Sequence, residues 1–128
     1  MAIQNLEQQR LIFAMEQGIK NKGKGNYDSL VKKIPAYIQT NGFLYTLAFL
    51  DSKRDINKQG IKNDAELVFE DIWEWHCNTD QNDHKMMLGV TLPKFMEELF
   101  KKSDAEVRFL TLETLSLFKC LKRFVKDE

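Results

Sequence analysis

Hydrophobic and polar residues along the chain recur at helical spacing almost everywhere, and no strict alternation runs over five or more positions. Ile3, Leu6, Arg10, Phe13 and Gln17 fall on one stripe, with Leu11, Ala14, Met15 and Ile19 beside it. This predicts a first helix from about residue 2 to 19. The stretch Lys20–Asn26, with Gly23 and Gly25 among polar neighbours, predicts a loop. Tyr27–Lys33 predicts a short helix ending before Pro35, because the residue ahead of a proline is pushed out of the helical region. Pro35 then suits the first turn of a following helix, and Asn41-Gly42 suits its stop. The run Phe43–Leu50 is apolar on nearly every face and predicts a buried central helix.

Residues 52–63 are polar, contain Gly60 and predict a loop, with Asn63 or Asp64 capping the next helix. That helix carries Ala65, Val68, Phe69, Ile72, Trp73, Trp75 and His76 at helical spacing. A polar loop over Asn78–Lys85 precedes a helix opened by Thr91 and Pro93 and continued by Phe95, Met96, Leu99 and Phe100. Ser103-x-x-Glu106 matches a capping box, and a last helix is predicted from about Thr111 to Val125. The expected fold class is all-α: one compact bundle of six or seven helices, with residues 1–128 as a single domain.

Composition fits this picture. Of 128 residues, 43% are hydrophobic and 30% charged, the balance of a globular chain that needs no metal or disulfide to fold. Met1–Ile12 lacks the basic and then strongly apolar run of a signal peptide. The densest apolar run has eight residues, where a membrane span needs about twenty. Cys77 and Cys120 are too few for a secreted disulfide scaffold. The expected setting is the cytoplasm, away from membranes, with both thiols reduced.

Charge changes the picture. Nineteen basic and nineteen acidic residues cancel, but not locally. Lys20–Lys62 holds nine basic residues (Lys20, Lys22, Lys24, Lys32, Lys33, Lys53, Arg54, Lys58, Lys62) against three acids. Asn63–Asp83 holds seven acids, among them Glu66, Glu70, Asp71 and Glu74, and neither Lys nor Arg. Solvated faces of amphipathic helices account for such runs. So does one basic and one acidic surface: the first able to follow a phosphate backbone, the second to dock head to tail on another copy. Lys119, Lys122, Arg123 and Lys126 share a stripe at the end of the last helix, where its dipole favours cations.

Catalytic signatures are missing. No phosphate-binding glycine loop, Gly-x-Ser-x-Gly or His-Glu-x-x-His occurs. His76, Cys77, His84 and Cys120 lack the paired spacing of zinc ligands, and no nucleophile–base–orienter set emerges from His76, Cys77 or Cys120. No catalytic residue, metal or cofactor is expected. Among the aromatics, the tryptophans read as core, while Tyr27 and Tyr37 are candidates for exposure and stacking.

Two segments are distinctive: Lys33-Ile-Pro-Ala-Tyr-Ile-Gln-Thr-Asn-Gly-Phe-Leu-Tyr-Thr-Leu-Ala-Phe-Leu-Asp-Ser-Lys53, and Leu110-Thr-Leu-Glu-Thr-Leu115 continuing to Leu121-Lys-Arg-Phe124. They resemble the small helical subunit, the fifth, of the Cmr complex, the RAMP-module type III-B CRISPR effector. Cys120, Thr114 and Val125 depart from that pattern as changes of packing. The resemblance implies a non-catalytic helical subunit that stacks with copies of itself and other Cmr subunits along a filament bearing crRNA. It implies contact with crRNA and target RNA through the backbone. On this sequence the expected backbone contacts are Lys32, Lys33, Lys53, Arg54 and Arg123, joined by Lys20, Lys22 and Lys24 from the charge pattern. Glu66, Glu70, Asp71 and Glu74 are the expected protein-docking face, by the charge argument alone. The alternative is a helical adaptor that binds only proteins and has no nucleic-acid role.

Overall fold

Asn5 opens the fold as a helix cap: its side chain accepts from the Gln8 N–H at 2.8 Å, and the Gln8 side chain accepts from the Asn5 N–H at 2.9 Å. The structure is a computed structural model that describes residues 5–125. Helix α1 therefore runs Leu6–Asn21, and Ile3, placed by its spacing on the first stripe, lies outside the described residues, as does Lys126. Phe13, Ala14, Gly18 and Asn21 face inward, whereas Met15 and Ile19 are 42% and 74% exposed rather than part of the apolar stripe. Gly18 permits the close approach of the final helix: a Cβ there would sit 2.6 Å from Phe124 Cβ.

Helix α2 runs unbroken over Tyr27–Asn41 with Pro35 inside it, where the sequence predicted two helices. Tyr27, Val31, Ile34 and Ile38 form one buried stripe through the proline. Burying each such side chain stabilises by about 1.5–3 kcal/mol, and four of them outweigh the roughly 3 kcal/mol cost of one interior proline. Gly42 ends α2 with φ +90° and ψ 158°, a conformation open essentially to glycine, and α3 (Phe43–Lys53) starts at the next residue. Phe43, Thr46, Leu47 and Leu50 of α3 are buried, but Tyr45 is 70% and Phe49 46% exposed. The expected all-round burial of this run fails because α3 packs inward on α2, α4 and neighbouring helices and leaves its other side open.

A loop over residues 54–63, pinned by an isolated antiparallel bridge between Ile56 and Lys62, leads to α4 (Asp64–Trp73). Asn63 is the cap, accepting from the Glu66 N–H at 2.8 Å. A π turn over Glu74–Asn78 extends α4 and brings Trp75, His76 and Cys77 into the core. A 3-10 turn at Leu92–Lys94 introduces the short α5 (Phe95–Phe100). Helix α6 runs Asp104–Phe124, starting from the Ser103–Glu106 capping box rather than near Thr111. Six α-helices and no strand make up the described residues, so the expected all-α class holds.

Three carboxylates lie inside this bundle. Glu113 of α6 takes both arms of the Arg10 guanidinium, at 2.7 and 2.9 Å, and the Trp75 indole N–H at 3.2 Å. Burial pushes Glu113 upward, but Arg10 more than offsets this and holds it below the usual carboxylate range. Glu66 of α4 takes the Arg54 guanidinium. Asp71 of α4 accepts from the Tyr27 hydroxyl at 2.6 Å and the Gln17 amide at 2.8 Å. Among the described residues Asp71 forms no ion pair, and burial raises it from 3.8 to about 7, against the pull of the Tyr27 hydrogen bond and of the Lys20 charge. His76, bonded to Thr114 at 2.8 Å, is lowered from 6.5 to about 4 by burial.

Removing one partner of a buried ion pair leaves the other charge uncompensated. Arg10→Leu should therefore cost about 3 kcal/mol, and the double variant Arg10→Leu/Glu113→Leu should recover much of it, read from urea unfolding midpoints. The buried acids and histidine also set the pH dependence. His76, depressed in the fold, and Glu113, held low, contribute stability that is lost as pH falls through their folded values. Asp71, raised in the fold, contributes stability that is greatest at low pH and is lost as pH rises through about 7. Asp71→Asn should thus leave a urea midpoint that falls more steeply than the wild type's as pH is lowered from about 7 to about 4.

Candidate nucleic-acid interface

The Gly42 reversal lays α3 back against α2 and brings two exposed ladders together. On α2, Ser29, Lys33 and Tyr37 follow at one-turn spacing; on α3, Tyr45, Phe49 and Lys53 do the same. Lys33 and Lys53 line one cleft of about 490 Å³, together with Tyr37, Phe49 and Leu50. The Tyr37 and Phe49 rings meet edge to face with centroids 6.4 Å apart, and Lys53 Nζ stands 5.9 Å from the Phe49 centroid. One carboxylate, Asp64, shares the lining, and it accepts from the Ala65 N–H at 3.0 Å.

Lys32, next to Lys33 on α2, turns to the other side of that helix. There it lines a groove of about 850 Å³ with Lys119, Lys122 and Arg123 of α6 and the apolar Pro35, Leu112 and Leu115. Among the described residues no acid lines this groove, and Leu112 is 61% exposed. Helix α2 thus has a basic cleft on one flank and a basic groove on the other. Among the described residues, none of Lys32, Lys33, Lys53, Lys119, Lys122 and Arg123 forms an ion pair with a carboxylate.

The remaining expected phosphate contacts divide differently. Arg54 is committed to the fold: it bonds Glu66 and Asp51 and stacks 4.5 Å from the Phe69 centroid. It is withdrawn from the surface set, because a guanidinium that neutralises a buried carboxylate cannot leave it without stranding that charge. Lys20 and Lys24 line a cleft of about 970 Å³, but with Glu16, Asp64, Glu70 and Glu74 around them. Lys22 is exposed on the adjoining loop. Asn26, Asn63 and Asp64 form the shared rim between this cleft and the Lys33–Lys53 cleft.

The acidic helix is not the open docking face its charge pattern predicted. Glu66 and Asp71 are buried and fully engaged, the first by Arg54 and the second by Tyr27 and Gln17. Tyr27, expected as an exposed aromatic, is buried for the same reason. Glu70 pairs with Lys62 at 2.6 Å, and Glu74 accepts from the Asn78 amide at 2.8 Å. The basic and acidic stretches therefore meet across one cleft instead of occupying opposite poles.

The groups weighed for chemistry are packed rather than poised. His76 bonds Thr114, and burial pushes the Cys77 thiol up to about 12, so it stays protonated at neutral pH. Among the described residues, no three or more His, Cys, Asp and Glu side chains are grouped to hold a metal ion, and no helix is long and apolar enough to cross a membrane.

Sequence reasoning missed Tyr45 and Phe49 as surface candidates, and it ascribed the Lys119, Lys122 and Arg123 stripe to the helix dipole. The i, i+4, i+8 order of Tyr45, Phe49 and Lys53 was a usable signal, hidden within a run apolar enough to suggest burial on every side. Comparison with known families adds a match over nearly the whole chain: the family model described as CRISPR-associated protein (Cas_Cmr5) covers residues 6–128.

Proposed function

The chain belongs to the Cas_Cmr5 family of CRISPR-associated proteins, and from that premise we propose that it is a non-catalytic structural subunit of a type III-B Cmr effector that holds RNA by its backbone. Family membership makes it a subunit of a CRISPR-associated Cmr complex, in company with other Cmr subunits. On the proposed reading it stacks along the cytoplasmic filament beside copies of itself and touches crRNA and target RNA across α2, α3 and α6. The observation that carries this is the run of cations without carboxylate partners among the described residues, from Lys53 and Lys33 over α2 to Lys32, Lys119, Lys122 and Arg123.

Unpaired ammonium groups repel one another and are relieved by an anion that spans them. A phosphate backbone supplies charge at regular spacing, and neutralising it releases counterions, so binding is salt-dependent and indifferent to base sequence. The Lys20 and Lys24 cleft suits this less, because its acids would face the same phosphates. A second reading rests on Leu112 and Leu115: the groove between α2 and α6 has apolar side chains in its lining beside its cations, which suits a neighbouring protein subunit.

Fluorescence anisotropy of the full chain with RNA over a series of salt concentrations tests the first reading. Lys33→Glu together with Lys53→Glu should weaken binding and reduce the slope of log affinity on log salt by about 0.7–0.9 for each phosphate no longer neutralised. The same change at Lys20 and Lys24 should have a smaller effect. An unchanged slope in the Lys33/Lys53 variant would remove these two residues from the interface.

A further inference from the structure

We propose that the cleft between α2 and α3 is a base-stacking site for single-stranded RNA, with Phe49 as its platform. This rests on the RNA reading above and adds a ligand form that backbone contact alone does not specify. The site is built from paired ladders. The packing of α3 on α2 sets Tyr37 against Phe49 at the ring level, and Lys33 and Lys53 line the same cleft one turn along. Tyr45, one turn before Phe49 on α3, extends the aromatic edge outward into solvent.

An exposed ring costs hydrophobic free energy, and here two adjacent rings of one helix carry that cost on the same face. Phe49 has no polar atom that could justify its exposure. Its surroundings are cationic: Lys53 stands over the ring and Lys33 lines the cleft, so an apolar peptide segment meets two charges it cannot satisfy. An unpaired nucleotide fits both halves. Its base offers a flat face to Phe49 beside the Tyr37 ring, and its phosphate meets the two ammonium groups. Asp64 leaves the cleft with an excess of one positive charge, enough for one phosphate. A duplex cannot use the rings, because its bases are already stacked on one another and only their edges and phosphates are outside.

The test uses the full chain, a single-stranded oligoribonucleotide carrying 5-iodouridine, and a duplex of the same sequence. Irradiation of the single-stranded complex should place the cross-link, located by mass spectrometry, on Tyr37, Phe49 or Tyr45. Phe49→Leu keeps an apolar side chain at a half-exposed position, and Tyr45→Leu replaces a ring with no buried role. Phe49→Leu should weaken single-strand binding roughly tenfold, Tyr45→Leu by less, with the salt slope and duplex affinity unchanged. An equal loss on duplex and single strand, no loss on either, or a cross-link elsewhere overturns the stacking site. Duplex binding that keeps its salt slope would then leave the backbone reading standing. A wild-type chain that binds neither form overturns both.

Discussion

A carboxylate taken out of water must find donors, and three of them decide how this bundle closes. Glu66 and Asp71 lie on α4, two residues short of two turns apart, and each reaches a different part of the chain. Glu66 is met by Arg54 from the loop after α3, and Asp71 by Tyr27 of α2 and Gln17 of α1. Glu113 ties α6 to α1 through Arg10 and to the π turn through Trp75. Helices α1, α2, α4 and α6 are therefore each keyed to another by a directional polar contact as well as by apolar packing. Apolar contacts tolerate sliding; a carboxylate held by two donors does not.

The same constraint sorts the cations. Arg10 and Arg54, whose planar forks can grip both oxygens of a carboxylate, are drawn inward. Lysines, more strongly hydrated and harder to desolvate, stay outside. The clefts flanking α2 are left with lysines that pair with no carboxylate among the described residues, while Glu66, Asp71 and Glu113 are taken up in the interior and Glu70 pairs with Lys62. Zero net charge is thus compatible with a locally basic surface, because Glu66, Asp71 and Glu113 are buried and other acids pair with cations elsewhere on the exterior.

What could be read from sequence was local. The Ser103–Glu106 box, the Asn63 cap, the loop around Gly23 and Gly25 and the stop at Asn41-Gly42 each depend on a few neighbouring residues, and each is present. What could not be read was tertiary. Pro35 breaks helices in isolation, yet a buried stripe carries α2 through it. Phe43–Leu50 has the composition of a core helix, but only its neighbours decide that Tyr45 and Phe49 face out. Acids at helical spacing beside tryptophans look like a wetted face until Arg54 and Tyr27 arrive from elsewhere to take Glu66 and Asp71. The Glu74–Asn78 π turn has no local signature, and it carries Trp75 and His76, both buried. Of the candidate interface, Lys33 and Lys53 were legible through the family resemblance, whereas Phe49 required the structure.

The Gly42 reversal has a consequence for how such a surface can change over time. Both ladders lie within residues 27–53, and their alignment is set by a single junction one residue long. Inserting or deleting one residue there would rotate α3 by about 100° relative to α2 and throw every ring and ammonium group out of phase. Side-chain replacement can tune this hairpin gradually, but length variation cannot. Lineages should therefore confine gaps in their alignments to the stretches on either side of α4, and keep the spacing from Lys33 to Lys53 invariant.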